Sequence, residues 1–492
     1  MILDTFADLI IMMKKYLFLA LALLLVQSVS AQGYQVSLKA PAFKSGIAYL
    51  THYWGTNLNV VDSAAINSSG VGIFKGPEKL IGGIYVVVLP GKQIRIELLI
   101  DKEQQISITT DTSDVINKTV ITGSKENIPY QQYQKFVASK GKLLQEERMA
   151  YAMSTTKADS LLHEKNYNLY NGQLNDYREG VLKNQPKSML AVLLSAMKEP
   201  DMPKQSPVTH QDTLNYYYNY RNHYWDGVSF MDERVIRTPF FIKKIEQYYG
   251  EILPQAPDSI IKDVDYKLLL ARSCPEMYKF LLNWFTDNYI NPKYMGQDAI
   301  FVHLFEKYHS KGISNWLNEK QMESISRRAY MLMSNLVGEK GADLQLLDST
   351  GKPSSLYNVQ ADFTLLCFWD PNCGHCKEEV PRLDSIYRAS WKKHGVKIYA
   401  VLTPDEKTNS KPDWVNYIKE HNLSDWTNVY QTKEMELADF AAQKPSFRQL
   451  YDVTLTPTLY LLDKEKRIIG KRLTWQQLND LLEVKWKTSS PN

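Results

Sequence analysis

Cys373 and Cys376, in the tetrapeptide Cys373-Gly374-His375-Cys376, are the residues whose type and spacing best suit them for chemistry. The apolar run Phe363–Trp369 precedes them. Lys377-Glu378-Glu379-Val380, Pro381, Leu383 and Ile386 follow, with apolar positions at helical spacing. The dithiol is therefore expected at a strand-to-helix turn, with both sulfurs in the first helical turn. Free backbone N–H groups and the positive end of the helix dipole stabilise a thiolate there, and the thiolate is the form that attacks disulfides. Lowering a thiol from about 8.5 to about 7 raises the thiolate share at neutral pH from a few per cent to half. The chemistry on offer is thiol–disulfide exchange.

The elements that must position this pair are legible in residues 341–492. Strands are expected at Asp343–Leu347, Phe363–Trp369, Val396–Thr403, Trp426–Tyr430, Leu459–Leu462 and Arg467–Leu473. Helices are expected after Cys373, near Asp413–His421 and from Trp475. A strand-helix-strand start followed by a hairpin and a helix is an α/β layer architecture.

Upstream, residues 33–124 read as an antiparallel β domain. Ile94, Ile96 and Leu98 alternate with Arg95 and Glu97, and Leu89-Pro90-Gly91-Lys92 supplies a turn. His52, Tyr53 and Trp54 are a candidate recognition patch, with a half-buried aromatic strand the favoured reading. Residues 125–340 shift to a 3.6 period, as in Tyr278, Leu281, Leu282, Phe285 and in Phe301, Leu304, Phe305, Tyr308. Prolines at 200, 203, 254 and 257 break this part into helical packets. The tyrosines at 216, 217, 218, 220 and 224 with Trp225 are read as packing rather than as a sugar or peptide platform. His303 and His309, six apart, fall on different helix faces, which argues against a metal site.

A chain of 492 residues exceeds what one hydrophobic core serves. The expected fold class is multidomain α+β: an N-terminal antiparallel β domain, a central mostly α-helical domain and a C-terminal α/β domain. A net charge of +4 with no long basic run argues against nucleic acid as the main partner.

Residues 1–31 read as a cleaved export signal. Lys14-Lys15 precede an uncharged stretch from Tyr16 to Val26, small residues end at Ala31, and Met13 is the expected initiator. The apolar run is shorter than the roughly 18 to 20 residues that span a bilayer, so no stable transmembrane anchor is expected. The expected location is the periplasm or cell envelope. Four cysteines are too few for a disulfide scaffold, and Cys274 and Cys367 are read as small buried hydrophobes.

The segment Phe368-Trp369-Asp370-Pro371-Asn372-Cys373-Gly374-His375-Cys376-Lys377-Glu378-Glu379-Val380-Pro381 resembles the active-site segment of the TlpA and ResA type of envelope thiol-disulfide oxidoreductases. Thr456-Pro457-Thr458 is similar to that thioredoxin-like family's second signature. The resemblance covers residues 341–492. It implies a thioredoxin-like fold with Cys373 as the exposed nucleophile and Cys376 as the resolving thiol. It further implies a cis proline at 457 that, with Thr456, docks substrate, and Glu379 as an acid that assists proton transfer at the buried thiol. An imidazolium at His375 beside the pair would favour the Cys373 thiolate. The implied substrates are cysteine-containing envelope proteins, served by an unidentified redox partner and without a cofactor. Residues 33–124 and 125–340 resemble β and helical domains of unknown function found beside such domains.

Two departures from thioredoxin stand out. Cys367 occupies the strand position where thioredoxins carry a buried aspartate, and Gly374-His375 is the dipeptide of protein disulfide isomerases, whose potential is near −180 mV against about −270 mV for thioredoxin. Asp370, three residues before Cys373, is not the threonine or serine of a peroxiredoxin, and a metal carrier would want more ligands. The competing class is an envelope binding or scaffold protein with an accessory redox pair.

Overall fold

The structure is a computed structural model that describes residues 33–203, 205–404 and 410–489. The expected signal segment, 1–31 with Met13, lies outside these residues. The described chain forms two compact units, one running as far as Pro254 and taking in Leu269–Tyr278, the other comprising Gln255–Leu268 and the chain from Lys279 onward.

In the first unit, eight strands form two four-stranded sheets: β1 Tyr34–Lys39, β2 Ile47–Trp54, β3 Asn57–Ala65, β4 Val71–Gly76, β5 Gly83–Val88, β6 Arg95–Ile100, β7 Gln105–Thr109 and β8 Val120–Thr122. Their orders are β4-β1-β7-β8 and β3-β2-β5-β6. Val36, Leu38, Ile106 and Ile108 alternate with polar neighbours and face one core with Leu50, Phe74, Val87 and Leu98. All pairings are antiparallel except β1 with β7, which runs parallel. That exception corrects the all-antiparallel expectation, and its cause is topological. The second sheet lies between β1 and β7 in the chain and serves as the long crossover that a parallel pair needs.

β5 is buried along its whole length. Its second face, with Leu99 of β6, packs on Tyr130 and on Met189, Leu190 and Leu193 of the helix Met189–Ala196. Tyr53 joins this contact and donates to Glu97 at 2.5 Å, while Trp54 is 41% exposed. Of the tyrosine cluster, Tyr224 is fully buried, stacked on Tyr248 at 5.3 Å and edge-on to Trp225 at 5.2 Å, whereas Tyr216, Tyr217 and Tyr220 are half-buried and Tyr218 is 45% exposed.

In the second unit, the helices Asp298–Lys307 and Glu319–Met333 precede a seven-stranded sheet. Its strands are β9 Gln345–Asp348, β10 Pro353–Ser355, β11 Phe363–Trp369, β12 Val396–Leu402, β13 Thr427–Tyr430, β14 Thr458–Leu462 and β15 Ile468–Lys471, in the order β10-β9-β13-β12-β11-β14-β15. β11 is central, parallel to β12 and antiparallel to β14. Its odd residues Leu365, Cys367 and Trp369 share one core with Val380, Leu383, Trp391, Leu478 and Leu482. Its even residues Leu366 and Phe368 share the other with Tyr399, Tyr451 and Tyr460. The short edge strand β10 and the helices Lys433–Ala441 and Phe447–Leu450 were not expected. Among the described residues, no helix is long and apolar enough to cross a membrane.

His303 bonds Asp265 at 2.9 Å. His309 is buried between the hydroxyls of Thr286 at 2.8 Å and Ser314 at 2.6 Å, and burial pulls its pKa down to about 4. An unfolded histidine binds its proton near pH 6.5, so the neutral buried ring favours the folded state above that pH. This contribution is lost as pH falls from about 6.5 to 4, at up to about 1.4 kcal/mol per pH unit. Urea unfolding of wild type and His309→Gln should therefore show a smaller loss of stability across that window in the variant. Equal pH slopes would exclude His309 as a source of the acid sensitivity.

Candidate functional site

β11 ends at Trp369, and the chain turns through Asp370-Pro371-Asn372 into the helix Gly374–Ala389, with Cys373 as its N-cap residue. Asp370 sets this turn. It is 4% exposed, its carboxylate accepts from the Asn372 N–H at 2.9 Å and the Ser410 hydroxyl at 3.1 Å, and its carbonyl accepts from the Cys373 N–H at 3.1 Å. An Asx side chain bonded two residues on is a common way of fixing a turn. Asn372 also donates to Asp413 at 3.0 Å, tying the turn to the helix Lys411–Glu420. Trp369 packs edge-on against Tyr417 of that helix, with ring centres 5.2 Å apart.

The two sulfurs are unlike. Cys373 is half-buried and Cys376 has no exposed surface; both are free thiols, as are Cys274 and Cys367. Burial opposes ionisation of Cys373. It is outweighed by hydrogen bonds from the Thr456 side chain, the Cys376 N–H and thiol and the His375 N–H, and the thiol falls below its ordinary value. Burial pushes Cys376 up to about 12, reinforced by its neighbour Cys373 and only partly opposed by the Asp370 backbone and Thr456. This is the helix N-terminus acting on one thiol while the core acts on the other.

Thr456 reaches the pair from across the sheet. The Cys373 thiol donates to its carbonyl at 3.2 Å, and the Thr456–Pro457 peptide is cis. Thr456 and Cys373 are thereby brought together. His375 is exposed in the first turn of the helix. Glu379 is half-buried and accepts from Arg382 at 3.2 Å, while the groups that most affect Cys376 are the Asp370 backbone, Cys373 and Thr456. Cys367 is fully buried in the core that holds Cys376, and burial, with the cost of ionising beside Cys376, drives its pKa far up. Cys274 is buried and donates to Glu233 at 3.1 Å. Among the described residues, no cluster of three or more histidine, cysteine or carboxylate side chains could hold a metal. Asp370, Ser410 and Tyr417 complete the site. Only the turn-forming sequence Asp370-Pro371-Asn372 signals any of them beforehand.

Alkylation with iodoacetamide across pH, read residue by residue by mass spectrometry, should label Cys373 with a midpoint below the ordinary thiol value and leave Cys376 unlabelled through neutral pH. Thr456→Val removes a hydroxyl that bonds the thiolate. It should move the Cys373 midpoint upward and slow its labelling at pH 7 several-fold; an unmoved midpoint would rule out Thr456 as the group that stabilises the thiolate.

Comparison with known proteins fits this geometry. Residues 337–471 match the AhpC/TSA family, and residues 34–130 match a domain of unknown function, DUF4369. The thiol-disulfide oxidoreductase ResA of Bacillus cereus is 23% identical over 155 residues, 32% of this chain and 79% of that protein. ResA of Geobacillus thermodenitrificans is 26% identical over 150 residues, 30% of this chain and 76% of that protein. Among solved structures, a domain of a possible thiol-disulfide isomerase from Cytophaga hutchinsonii is 35% identical, covering 31% of this chain and 95% of that one, with a TM-score of 0.27. A thioredoxin-like protein from Bacteroides caccae is 21% identical, covering 58% of this chain and 98% of that one, with a TM-score of 0.43. Residues 337–471 thus form a thioredoxin-like domain of the AhpC/TSA family, related to the ResA proteins, and the chain is an oxidoreductase that also carries a DUF4369 domain.

Proposed function

We propose that this chain is an exported thiol-disulfide oxidoreductase that exchanges disulfides with cysteine-containing proteins of the periplasm or cell envelope through Cys373 and Cys376. The observation that carries the reading is the asymmetry of the two thiols: one half-exposed and shifted toward thiolate, one buried and held protonated.

In the reducing direction the Cys373 thiolate attacks one sulfur of a substrate disulfide. A Cys373–substrate bond forms as the substrate S–S bond breaks, and the released substrate thiolate takes up a proton. Cys376 then gives up its proton and attacks the Cys373 sulfur, which expels the second substrate thiol. The substrate has gained two electrons and two protons, and the enzyme is left with a Cys373–Cys376 disulfide for a separate redox partner to reduce. Run backward, the same steps oxidise a substrate dithiol.

The second step is the demanding one, since Cys376 is pushed up to about 12 and needs a base in reach. Glu379, one turn further along the helix, is assigned that task, and His375 the tuning of Cys373. Thr456 and Pro457 form the edge against which the substrate chain docks. Residues 1–31 direct export, and no cofactor takes part.

Titration in glutathione or dithiothreitol buffers should give a reversible two-electron couple. A value near −270 mV marks a reductase and one near −180 mV an oxidant or isomerase. Cys373→Ser should abolish insulin reduction, while Cys376→Ser should accumulate mixed disulfides visible on non-reducing gels. Glu379→Gln should slow release of the mixed disulfide several-fold and leave alkylation of Cys373 unchanged. If no reversible couple forms, the exchange reading fails in favour of a binding or scaffold protein.

A further inference from the structure

The segment that carries Thr456 is gripped from outside the thioredoxin-like sheet. Asp452 lies four residues before Thr456, is 1% exposed and sits in the left-handed region with φ 46°. Such a conformation needs a local reason to persist in a residue other than glycine. Here the reason is the left-handed C-cap of the helix Phe447–Leu450, closed by the Val453 N–H on the Arg448 carbonyl at 2.8 Å, and a pair of cations then holds the Asp452 carboxylate. Nη1 of Arg328, in the helix Glu319–Met333, donates to both Asp452 carboxylate oxygens at 2.8 Å each, and Arg472 donates to the same carboxylate and, at 2.6 Å, to the Asp452 carbonyl. Two residues before Asp452, the Leu450 carbonyl accepts from Asn335 at 3.0 Å.

The same junction has a second buried ion pair. Lys471 of β15 bonds Asp298 at the start of the helix Asp298–Lys307, and also the carbonyl and side-chain oxygen of Asn335 at 2.9 and 3.0 Å. Downstream, the Thr458 hydroxyl ties the Leu455 carbonyl into the start of β14 at 2.6 Å. The short span from Val453 to Leu455 therefore runs between two fixed points, and the first of them, Asp452, is held by Arg328 from a helix that the AhpC/TSA match does not include. Val453 is buried in the core with Tyr451 and Tyr460, whereas Thr454 and Leu455 are exposed, Leu455 at 77%, so little packing of its own holds the stretch just before Thr456.

We propose that Arg328 is a positioning residue for exchange: through Asp452 it fixes the carbonyl and hydroxyl of Thr456 relative to Cys373. The helix Glu319–Met333 is then a working part of the site rather than a spacer before it. The consequence for catalysis rests on the exchange reading above, whereas the grip on the span does not. A charge-assisted bond to a buried carboxylate is strong and directional, and lysine cannot reproduce the guanidinium geometry.

The test uses full-length Arg328→Met and Arg328→Lys, with hydrogen exchange measured peptide by peptide and steady-state reduction of insulin. In Arg328→Met, amides of residues 450–458 should exchange about tenfold faster while the rest of the sheet is unchanged. KM for insulin should rise about five- to tenfold with a smaller change in kcat, and Arg328→Lys should fall between. The iodoacetamide midpoint of Cys373 should move upward, since the Thr456 hydroxyl that bonds the thiolate loses its fixed place. Unchanged exchange at 450–458 would overturn the proposal, as would acceleration spread evenly over the sheet, which marks a merely structural role. If Arg328→Met does not fold, the same two readouts on Arg328→Lys decide. Should wild type fail to reduce insulin, the exchange reading fails while the hydrogen-exchange result still decides whether Arg328 holds the span.

Discussion

Burying one sulfur while leaving its neighbour three residues away at the surface is the constraint on which the C-terminal domain depends. The helix Gly374–Ala389 meets the constraint by starting at Cys373, so that Cys373 caps it at the opening while Cys376 enters the core. That core is the face of β11 made by Leu365, Cys367 and Trp369. Because side chains alternate along a strand, a slip of one residue in β11 would put Leu366 and Phe368 beneath the dithiol and carry Trp369 to the opposite face. Pairing with β12 and β14 on both sides fixes the register against such a slip. The reactivity of the pair is thus set by strand register as much as by the helix dipole.

What could be read from the residues beforehand follows from which physics is local. β11 is legible because a central strand covered on both faces is a nearly unbroken apolar run, and Phe363–Trp369 is such a run. The helix Lys433–Ala441 is less so: it buries none of its residues, and Leu437 and Phe440, though helically spaced, are exposed, so its short apolar pattern reports no core face. β10 is three residues long, too short for any period to show. The parallel pairing of β1 with β7 depends on segments far apart in the chain, and each strand looks the same whichever neighbour it takes. At the site, the dithiol and Thr456-Pro457 announce themselves by residue type. Asp370 shows only as part of the turn-forming Asp370-Pro371-Asn372, and its bond from Ser410, 40 residues further on, has no local mark. The contact of Arg328 with Asp452 spans 124 residues and has no local signature at all.

Two of the buried carboxylates stand on either side of the exposed sulfur. Asp370 and Asp452 are both nearly inaccessible, and each has its oxygens bonded to donors, as a buried carboxylate requires. One shapes the turn into Cys373 and the other the approach to Thr456. The two chain segments that meet at the exposed sulfur are therefore each held by a polar anchor rather than by apolar packing alone. Directional bonds suit that purpose, since apolar contacts tolerate small slides that a hydrogen bond at 2.8 Å does not.

Cys367 decides where the proton of Cys376 goes in the proposed exchange. A carboxylate at this strand position would offer a base on the core side of the buried thiol. Cys367 is a thiol whose own pKa is driven far up by burial, so it stays protonated and accepts nothing. The neighbouring core residues Leu365, Val380 and Leu383 have no acceptor to offer either. In the proposed exchange a proton leaving Cys376 departs toward the mouth of the site, on the side of the Asp370 backbone, Thr456 and Tyr417. Deprotonation of the resolving thiol is then coupled to what occupies that mouth. A docked substrate chain that displaces water there acts on the second step of exchange as well as on the first.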